Sequence, residues 1–265
     1  NTVSENYAQE ILTSEFGFGL EKDLNDKKGR LVGILNGIDQ DYFNPEKDKS
    51  IKKNYSLENI DDKEENKKFL QNEAFNNADS SVCVLGIVSR LADQKGFDLI
   101  KEIFKDLMEE NIQLVLLGSG AKEYEDFFLE KMKEYPQKCF AKIGFDESFA
   151  RQIYAGSDIF LMPSYFEPCG LGQMIAMRYG TIPLVRAIGG LRDTVLRHDR
   201  KDGTGFLFYK YEGQEMLSSI KEAILTFRDK KRWRILQENG MKQDFSWKKS
   251  AQKYAQLYQR ILKGL

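Results

Sequence analysis

One carboxylate in the sequence is placed where it could bind a ligand. Glu167 follows an apolar stretch that predicts a strand at residues 159–162, and it stands just before a predicted helix start at Gly170. Ligands of open α/β sheets bind beyond the carboxyl ends of the strands, so we expect Glu167 to face such a crevice. The N–H groups of Gly170, Leu171 and Gly172 would be free helix-start donors for hydroxyl or phosphate oxygens. This combination suits a nucleotide sugar, although Glu167 could instead cap the helix.

Two cations precede another predicted helix. Arg90 and Lys95 lie in the segment SRLADQKG, between a predicted strand at residues 82–88 and a helix from residue 97. Fixed cations at a strand end match a diphosphate and would stabilise it as a leaving group. The alternative is a pair of solvated surface cations. A helix N-terminus ordinarily favours acids, so the paired cations favour binding.

Two further turns and an aromatic residue are predicted at the same edge of the sheet. Gly118 and Ser119 belong to a Gly-Ser-Gly turn that could let the backbone approach a ligand, or form a tight turn without one. Phe145 follows a predicted strand and could stack on a base, or be an ordinary core residue. Gly189 and Gly190 form a third turn, flanked by Arg186 and Arg192, for which solvation is the default.

Composition narrows the class of protein. The chain has 265 residues, with 40 Lys plus Arg against 41 Asp plus Glu, so the charge balance predicts neither nucleic acid nor an anionic membrane as partner. No apolar run reaches transmembrane length. Cys83, Cys139 and Cys169 contain no CxxC pair; the first two are predicted to be core thiols, which fits a reducing cytoplasm. His198 is the single histidine, so a His-based triad or multi-His metal site is excluded.

The elements that must position these residues alternate along the chain. Short apolar runs predict strands at residues 82–88, 113–117, 140–143, 159–162, 181–185 and 205–208. Amphipathic stretches predict helices at residues 97–110, 123–135, 148–155, 171–179, 214–228, 230–241 and 247–262. The alternation indicates a parallel sheet with helices on both faces. The last helix carries an apolar stripe and should pack against another element.

The first third of the chain is less regular. Residues 7–13 predict a helix, and residues 30–35 predict a strand. Residues 46–68 hold fourteen charged side chains, seven of each sign. Good helix formers at residues 61–71 favour a solvated surface helix over a disordered linker.

Several motifs in one order resemble the C-terminal part of bacterial glycogen synthases and plant starch synthases. The resemblance covers about residues 3–262. It rests on VSENYAQEI, LNGID, SRLADQKG, LLGSG, IGFDESFARQIYAGSD, PSYFEPCGLGQM, GGLRDTV, DGTGF and DFSWKKSAQKY. It implies an α/β fold with a Rossmann-like doubly wound parallel sheet and helices on both faces, one half of a two-domain GT-B glycosyltransferase.

The resemblance also implies roles for individual residues. The predicted catalytic residues are Arg90 and Lys95 on the diphosphate and Glu167 on the sugar hydroxyls. Together with the turns above, the predicted substrate-binding residues are Asn36, Gly118, Ser119, Phe145, Cys169, Gly170, Leu171, Gly189 and Gly190. Two positions depart from the family. Gly172 replaces a more usual Thr or Asn, and Ile188 replaces a Thr, so each departure removes a potential ligand contact.

The family's activity is transfer of glucose from a nucleotide sugar to the non-reducing 4-OH of an α-1,4-glucan, with retention and without metal or cofactor. ADP-glucose is the donor that the resemblance implies, although the residues themselves do not separate ADP from UDP. Two alternatives remain. One is a related glycosyltransferase with another acceptor, such as a sucrose or lipopolysaccharide enzyme, and the other is a non-catalytic module that binds nucleotide or glucan.

The chain is expected to be one part of such an enzyme. A Lys-X-Gly-Gly motif of the family's N-terminal domain is absent from the sequence. Residues 1–40 are predicted to be the tail of that domain and the hinge, residues 41–245 the nucleotide-sugar-binding domain, and residues 246–265 a helix that crosses back to the first domain. We therefore expect a fragment that is inactive alone, cytoplasmic in bacteria or plastidic in plants.

Overall fold

A computed structural model describes residues 1–264 of the chain. Six strands form one sheet in the order β3-β2-β1-β4-β5-β6, and every neighbouring pair is parallel. The strands are β1 (Cys83–Val88), β2 (Ile112–Gly118), β3 (Cys139–Ile143), β4 (Ile159–Met162), β5 (Ile182–Arg186) and β6 (Phe206–Phe208). The strand order reverses between β1 and β4, which is where a doubly wound sheet opens a crevice at its carboxyl edge.

Eleven α-helices in residues 1–264 surround this sheet. They are α1 (Glu5–Glu10), α2 (Glu21–Asn25), α3 (Lys63–Phe75), α4 (Phe97–Glu109), α5 (Lys122–Glu134), α6 (Glu147–Gly156), α7 (Gly172–Arg178), α8 (Gly189–Thr194), α9 (Gly213–Arg228), α10 (Lys230–Met241) and α11 (Trp247–Leu262). Short 3₁₀ turns lie at Lys28–Arg30, Ile60–Asp62 and Asp93–Lys95.

The core lies on both faces of the sheet because successive strand side chains point to opposite sides. On β1, Leu85 and Ile87 pack in a cluster with residues of α4 and α9, whereas Val84 packs with Leu70 of α3 and Ile153 of α6. Both faces of the strand are therefore apolar, as expected for a parallel sheet covered by helices. The polar groups available to a ligand are left at the strand ends.

The predicted α/β architecture is confirmed. All six strands and the seven helices predicted after residue 82 end within about one residue of the predicted bounds. The strand predicted at residues 30–35 is wrong: this segment forms a 3₁₀ turn and a single bridge between Thr2 and Gly33. The segment lies outside the six-stranded sheet, and a single bridge is too short a pairing to form a strand.

The charged helix is only partly as predicted. Helix α3 exists, but it is not solvated all round, since Lys63 and Lys67 are 5% and 2% exposed. Lys63 donates through its ammonium to the backbone carbonyls of Tyr154 and Ala155 and to Thr181 Oγ1. Buried lysines need such partners, and these partners come from distant parts of the sequence.

The helix α11 has the predicted apolar stripe, but the stripe is largely exposed. Of the residues of α11, all of which the structure describes, Ser250 is buried. Ser250 Oγ donates to the carbonyl of Leu35 at 2.7 Å and so fixes the first turn of the helix. Tyr258, Ile261 and Leu262 are 59–87% exposed. The packing partner expected for this stripe is not among residues 1–264, and the return of the helix to another domain stays a prediction.

Candidate functional site

The predicted charged residues meet in one cleft at the switch point of the sheet. The cleft has a volume of about 230 Å³ and lies beyond the carboxyl ends of β1 and β4. Arg90 and Lys95 reach it from the loop after β1, and Glu167 reaches it from the loop after β4. These three residues are the charged members of its lining. All three were predicted at this edge of the sheet, and in the structure they lie together in one cleft.

Lys95 and Glu167 form an ion pair across the cleft. Lys95 Nζ lies 2.6 Å from Glu167 Oε2, and the two side chains are 18% and 8% exposed. Gly96, which follows Lys95, has φ +73°, and a Cβ atom there would lie 2.0 Å from the Pro163 carbonyl oxygen. This contact requires glycine, because the loops after β1 and β4 touch there. The close approach sets the distance between the ammonium and the carboxylate.

Glu167 does not cap the following helix. Helix α7 begins at Gly172, and no side chain accepts a hydrogen bond at its N-cap. Oε2 of Glu167 instead accepts from Ser164 Oγ at 3.1 Å in addition to Lys95. The loop is also tied to Gln94, which accepts from the N–H of Tyr165 through its carbonyl and donates to the Phe166 carbonyl through its side chain. The capping alternative therefore has no support in this geometry.

The predicted backbone donors lie at the cleft wall. Gly170, with φ +72°, and Leu171 and Gly172 line the cleft, and in residues 1–264 their N–H groups have no protein acceptor. A Cβ atom at Gly172 would lie 2.8 Å from Phe160 Cε1. The Thr or Asn usual at this position in the family would therefore need the ring to move. Gly172 is explained by its packing on β4.

A second cleft adjoins the first at Arg90. It has a volume of about 250 Å³, and its lining includes Gly118, Ser119 and Phe145. Phe145 is 92% exposed, so it is not a core residue. Arg90 lines both clefts, and it forms no ion pair within residues 1–264; its guanidinium contacts Gln94 Oε1 at 3.4 Å. A cation between a polar cleft and an exposed aromatic ring suits a phosphate joined to a flat, ring-shaped group.

Gly189 and Gly190 take part in the site indirectly. The N–H of Gly189 donates to Glu10 Oε1 at 2.8 Å, and the N–H of Gly190 donates to the Glu167 carbonyl at 3.0 Å. Both groups thus have protein acceptors in this structure. The predicted turn is the first turn of α8, a helix that was not predicted from the sequence. Glu10 was also missed, because it lies 179 residues away in the sequence and no local motif marks it.

The remaining predicted residues lie at the edge of the site. Asn36 lines a separate cavity of about 210 Å³ with Asp193 and Phe245. Its backbone N–H contacts the buried thiol of Cys169, where it opposes the rise in pKa caused by burial. Ile188 packs into an apolar cluster and is 5% exposed, so its side chain does not line either cleft.

The flanking arginines differ from each other. Arg186 donates to the carbonyls of Tyr165 and Tyr209 and lies over the rings of Tyr165 and Tyr211. Its burial lowers the pKa of the guanidinium. Arg192 is exposed. Arg186 therefore supports the loop that carries Glu167, whereas Arg192 is a solvated surface residue, as expected.

Residues 1–264 contain neither a metal-binding cluster nor a membrane-spanning helix. No three His, Cys, Asp or Glu side chains converge there in a way that could hold a metal ion. No helix in this range is long and apolar enough to cross a membrane. Cys83, Cys139 and Cys169 are all buried free thiols, which confirms the two predicted core cysteines.

The chain is similar to known glycosyltransferases. Residues 68–243 match the family described as "Glycosyl transferases group 1". The chain is 49% identical over 265 residues to a glycogen synthase of Thermosipho africanus and 50% identical over 262 residues to one of Clostridioides difficile. These alignments cover 99% and 98% of the chain but 55% of each relative. The chain thus spans about half the length of the curated relatives it matches.

A solved structure is similar over nearly the whole chain. It is the catalytic domain of starch synthase IV from Arabidopsis thaliana, bound to ADP and acarbose. The TM-score is 0.91 at 38% identity, over 98% of this chain and 55% of that one. Because the match covers nearly the whole chain, the fold that carries the two clefts is shared with that protein.

Proposed function

The chain belongs to the group 1 glycosyltransferases, and from that premise we propose that it is the donor-binding part of a glycogen or starch synthase. The observation that carries the proposal is the cleft at the switch point, where Arg90, Lys95 and Glu167 converge beside free backbone N–H groups. The proposed reaction transfers glucose from ADP-glucose to the 4-OH of an α-1,4-glucan with retention.

The proposed roles follow from charge and position. Arg90 and Lys95 bind the diphosphate and stabilise the charge that develops as the bond between the sugar and the phosphate oxygen breaks. Oε2 of Glu167 already accepts from Lys95 and Ser164, so its Oε1 is the atom that accepts from a sugar hydroxyl. The acceptor hydroxyl attacks the sugar carbon, and its proton leaves with the departing phosphate. No step requires a protein nucleophile.

The second cleft suits the base of the donor. Phe145 is an exposed ring beside the Gly118–Ser119 turn, and Arg90 joins this cleft to the polar one. The similar starch synthase IV was solved with ADP bound, which supports adenine as the base. Aromatic stacking is tolerant of base identity, so this geometry supports a nucleotide more strongly than it selects adenine.

A transfer assay tests the proposal. We expect the isolated chain to bind ADP weakly and to transfer no glucose to glycogen, and the full-length parent protein to transfer it from ADP-glucose. In the parent, Glu167→Gln and Glu167→Ala should both lower turnover strongly while ADP affinity and melting temperature change little. The physical reason is that Glu167 contacts the sugar and not the nucleotide.

Two outcomes would contradict the proposed function or the role of Glu167. If the parent binds ADP but transfers glucose to no glucan, the synthase assignment fails, and a transferase with another acceptor or a non-catalytic module takes its place. If Glu167→Ala lowers stability by roughly 0.5 to 2 kcal/mol and turnover per folded molecule is unchanged, Glu167 holds its loop through Lys95 and Ser164 and does not bind the sugar.

Phe145 provides a test of nucleotide binding in the isolated chain. Phe145→Ala should weaken ADP binding by roughly 1 to 3 kcal/mol, the range for loss of one base–aromatic stack. Melting temperature should not change, since the ring is 92% exposed. Isothermal titration calorimetry with ADP measures the loss, and Phe18→Ala, at another exposed phenylalanine, is the matched control. Equal losses in both variants would contradict stacking.

A further inference from the structure

Glu10 makes an unusual contact for a residue so far from the cleft. Its Oε1 accepts from the backbone N–H of Gly189 at 2.8 Å, and its Oε2 is buried with no hydrogen-bond partner within residues 1–264. Burial is the main cause that raises the pKa of this carboxyl. Burying a carboxylate oxygen without a hydrogen-bond partner lowers the free energy of unfolding, so the burial of Glu10 destabilises the fold.

The contact lies directly behind the loop that carries Glu167. Gly190, the next residue after Gly189, donates its N–H to the Glu167 carbonyl at 3.0 Å. A Cβ atom at Gly189 would lie 2.0 Å from that same carbonyl oxygen. The turn at Gly189–Gly190 therefore touches the backbone of Glu167 with no space between them, and any shift of the turn moves Glu167.

Helix α1, which carries Glu10, is itself fixed to α8. Asp193 of α8 accepts from Ser4 Oγ, from the Asn6 side chain and from the Asn6 backbone N–H. Ser4 also caps α1 by accepting from the Tyr7 N–H. Each helix thus provides a carboxylate to the other: Asp193 of α8 accepts from the first turn of α1, and Glu10 of α1 accepts from the first turn of α8. Two contacts fix both the position and the orientation of α1 on α8.

From these contacts we infer that Glu10 is a positioning residue for the transferase site. It holds the Gly189–Gly190 turn, which in turn holds the backbone of Glu167 and places its side chain against Lys95 and the sugar. The inference rests on the proposed function, because it assigns Glu10 a part in the same reaction. Glu10 does not itself touch the donor in this arrangement, since it lines neither of the two clefts.

Kinetics of the full-length parent test this role. Glu10→Ala should lower kcat roughly ten- to a hundred-fold, the scale expected when a reacting group is displaced by about 1 Å. ADP affinity should stay unchanged, because in the proposed function Glu167 contacts the sugar and not the nucleotide. Glu10→Gln keeps an oxygen that accepts from Gly189 and should restore kcat to within about threefold. Gln9→Ala, exposed on the same helix, is the matched control.

Hydrogen exchange on the isolated chain gives a second measurement that needs no activity. In Glu10→Ala, amides in residues 186–195 should exchange faster than in the wild type, and in Gln9→Ala they should not. Unchanged exchange there overturns the inference. A loss of kcat that Glu10→Gln does not restore, or one that vanishes when corrected for the folded fraction, also overturns it. If the wild-type parent transfers no glucose, the proposed function fails, and exchange still decides whether Glu10 holds the turn.

Discussion

The two edges of the sheet each carry a lysine–carboxylate pair, and the pairs differ in what surrounds them. At the carboxyl edge, Lys95 and Glu167 are 2.6 Å apart with side-chain exposures of 18% and 8%. At the amino edge, Lys67 and Asp158 are 2.8 Å apart with exposures of 3% and 9%. The residue types and the distances are nearly the same. The difference lies in the remaining hydrogen-bonding capacity of each pair.

The amino-edge pair has several further partners in the fold. Lys67 also donates to the Ser80 carbonyl and lies over the Phe227 ring at 4.5 Å, and Asp158 also accepts from the Val84 N–H at the start of β1. Both pairs line a cleft, but the Lys95–Glu167 pair has one additional protein partner, Ser164. A pair with several further partners is fixed by the fold, whereas a pair with one further partner keeps more of its donors and acceptors for a ligand.

The largest effect should follow from breaking the amino-edge pair. Lys67→Ala leaves Asp158 charged, buried and without its cation, so the free energy of unfolding should fall by roughly 3 to 5 kcal/mol. Urea denaturation followed by circular dichroism measures this loss. Lys68→Ala, at an exposed neighbour on α3, should change stability by less than about 0.5 kcal/mol. Equal, small losses in the two variants would remove the distinction between the edges.

The cleft pair should show the opposite balance between stability and activity. Lys95→Ala in the full-length parent should lower turnover by roughly 3 to 4 kcal/mol of transition-state stabilisation, the scale of a lost oxyanion donor. Stability should fall less than in Lys67→Ala, because the Lys95 side chain is 18% exposed against 3% for Lys67, and it has fewer protein partners to lose. Single-turnover kinetics and urea denaturation of the same preparation measure both quantities. Near-normal turnover would return Lys95 to the role of a surface cation.

A smaller effect should appear in the pH dependence of stability. Burial lowers the pKa of Lys63, beside Lys67 on α3, from its ordinary 10.5 to about 7. Between these values the unfolded chain binds more protons than the folded one, so stability should rise with pH, by up to about 1.4 kcal/mol per unit from this group. Lys63→Met should remove this contribution. Urea denaturation from pH 6.5 to 8.5 compares the two slopes; identical slopes would contradict it.

Elements with a clear local pattern were predictable. Strands such as Ile159–Met162 are short apolar runs closed by a proline or a turn, and their bounds follow from that pattern. Helix α8 was not predicted because it begins with two glycines, which disfavour a helix in isolation. Glycine is needed at the start of this helix because a Cβ atom at Gly190 would lie 2.1 Å from the Cys169 carbonyl oxygen, a contact that the sequence does not reveal.

The part of the site that could be predicted is the set of residues in loops after the strand ends. Arg90, Lys95 and Glu167 lie in the loops that follow β1 and β4, so their meeting at one edge follows from the topology. The ion pair between Lys95 and Glu167 and the contact of Glu10 with Gly189 join residues 72 and 179 positions apart. Such contacts depend on loop conformations that no spacing in the sequence encodes. The burial of Lys63 and Lys67 was missed for the same reason.

The ion pair at the cleft also bears on how quickly a donor arrives. With Lys95 neutralised by Glu167, the three charged residues of the cleft sum to a single positive charge, that of Arg90. Long-range attraction of a diphosphate is therefore weak, and its association rate should depend only slightly on ionic strength. In the proposed reaction, Lys95 donates to both the phosphate and Glu167 once the donor has arrived. Selectivity for the donor then resides in how slowly it leaves.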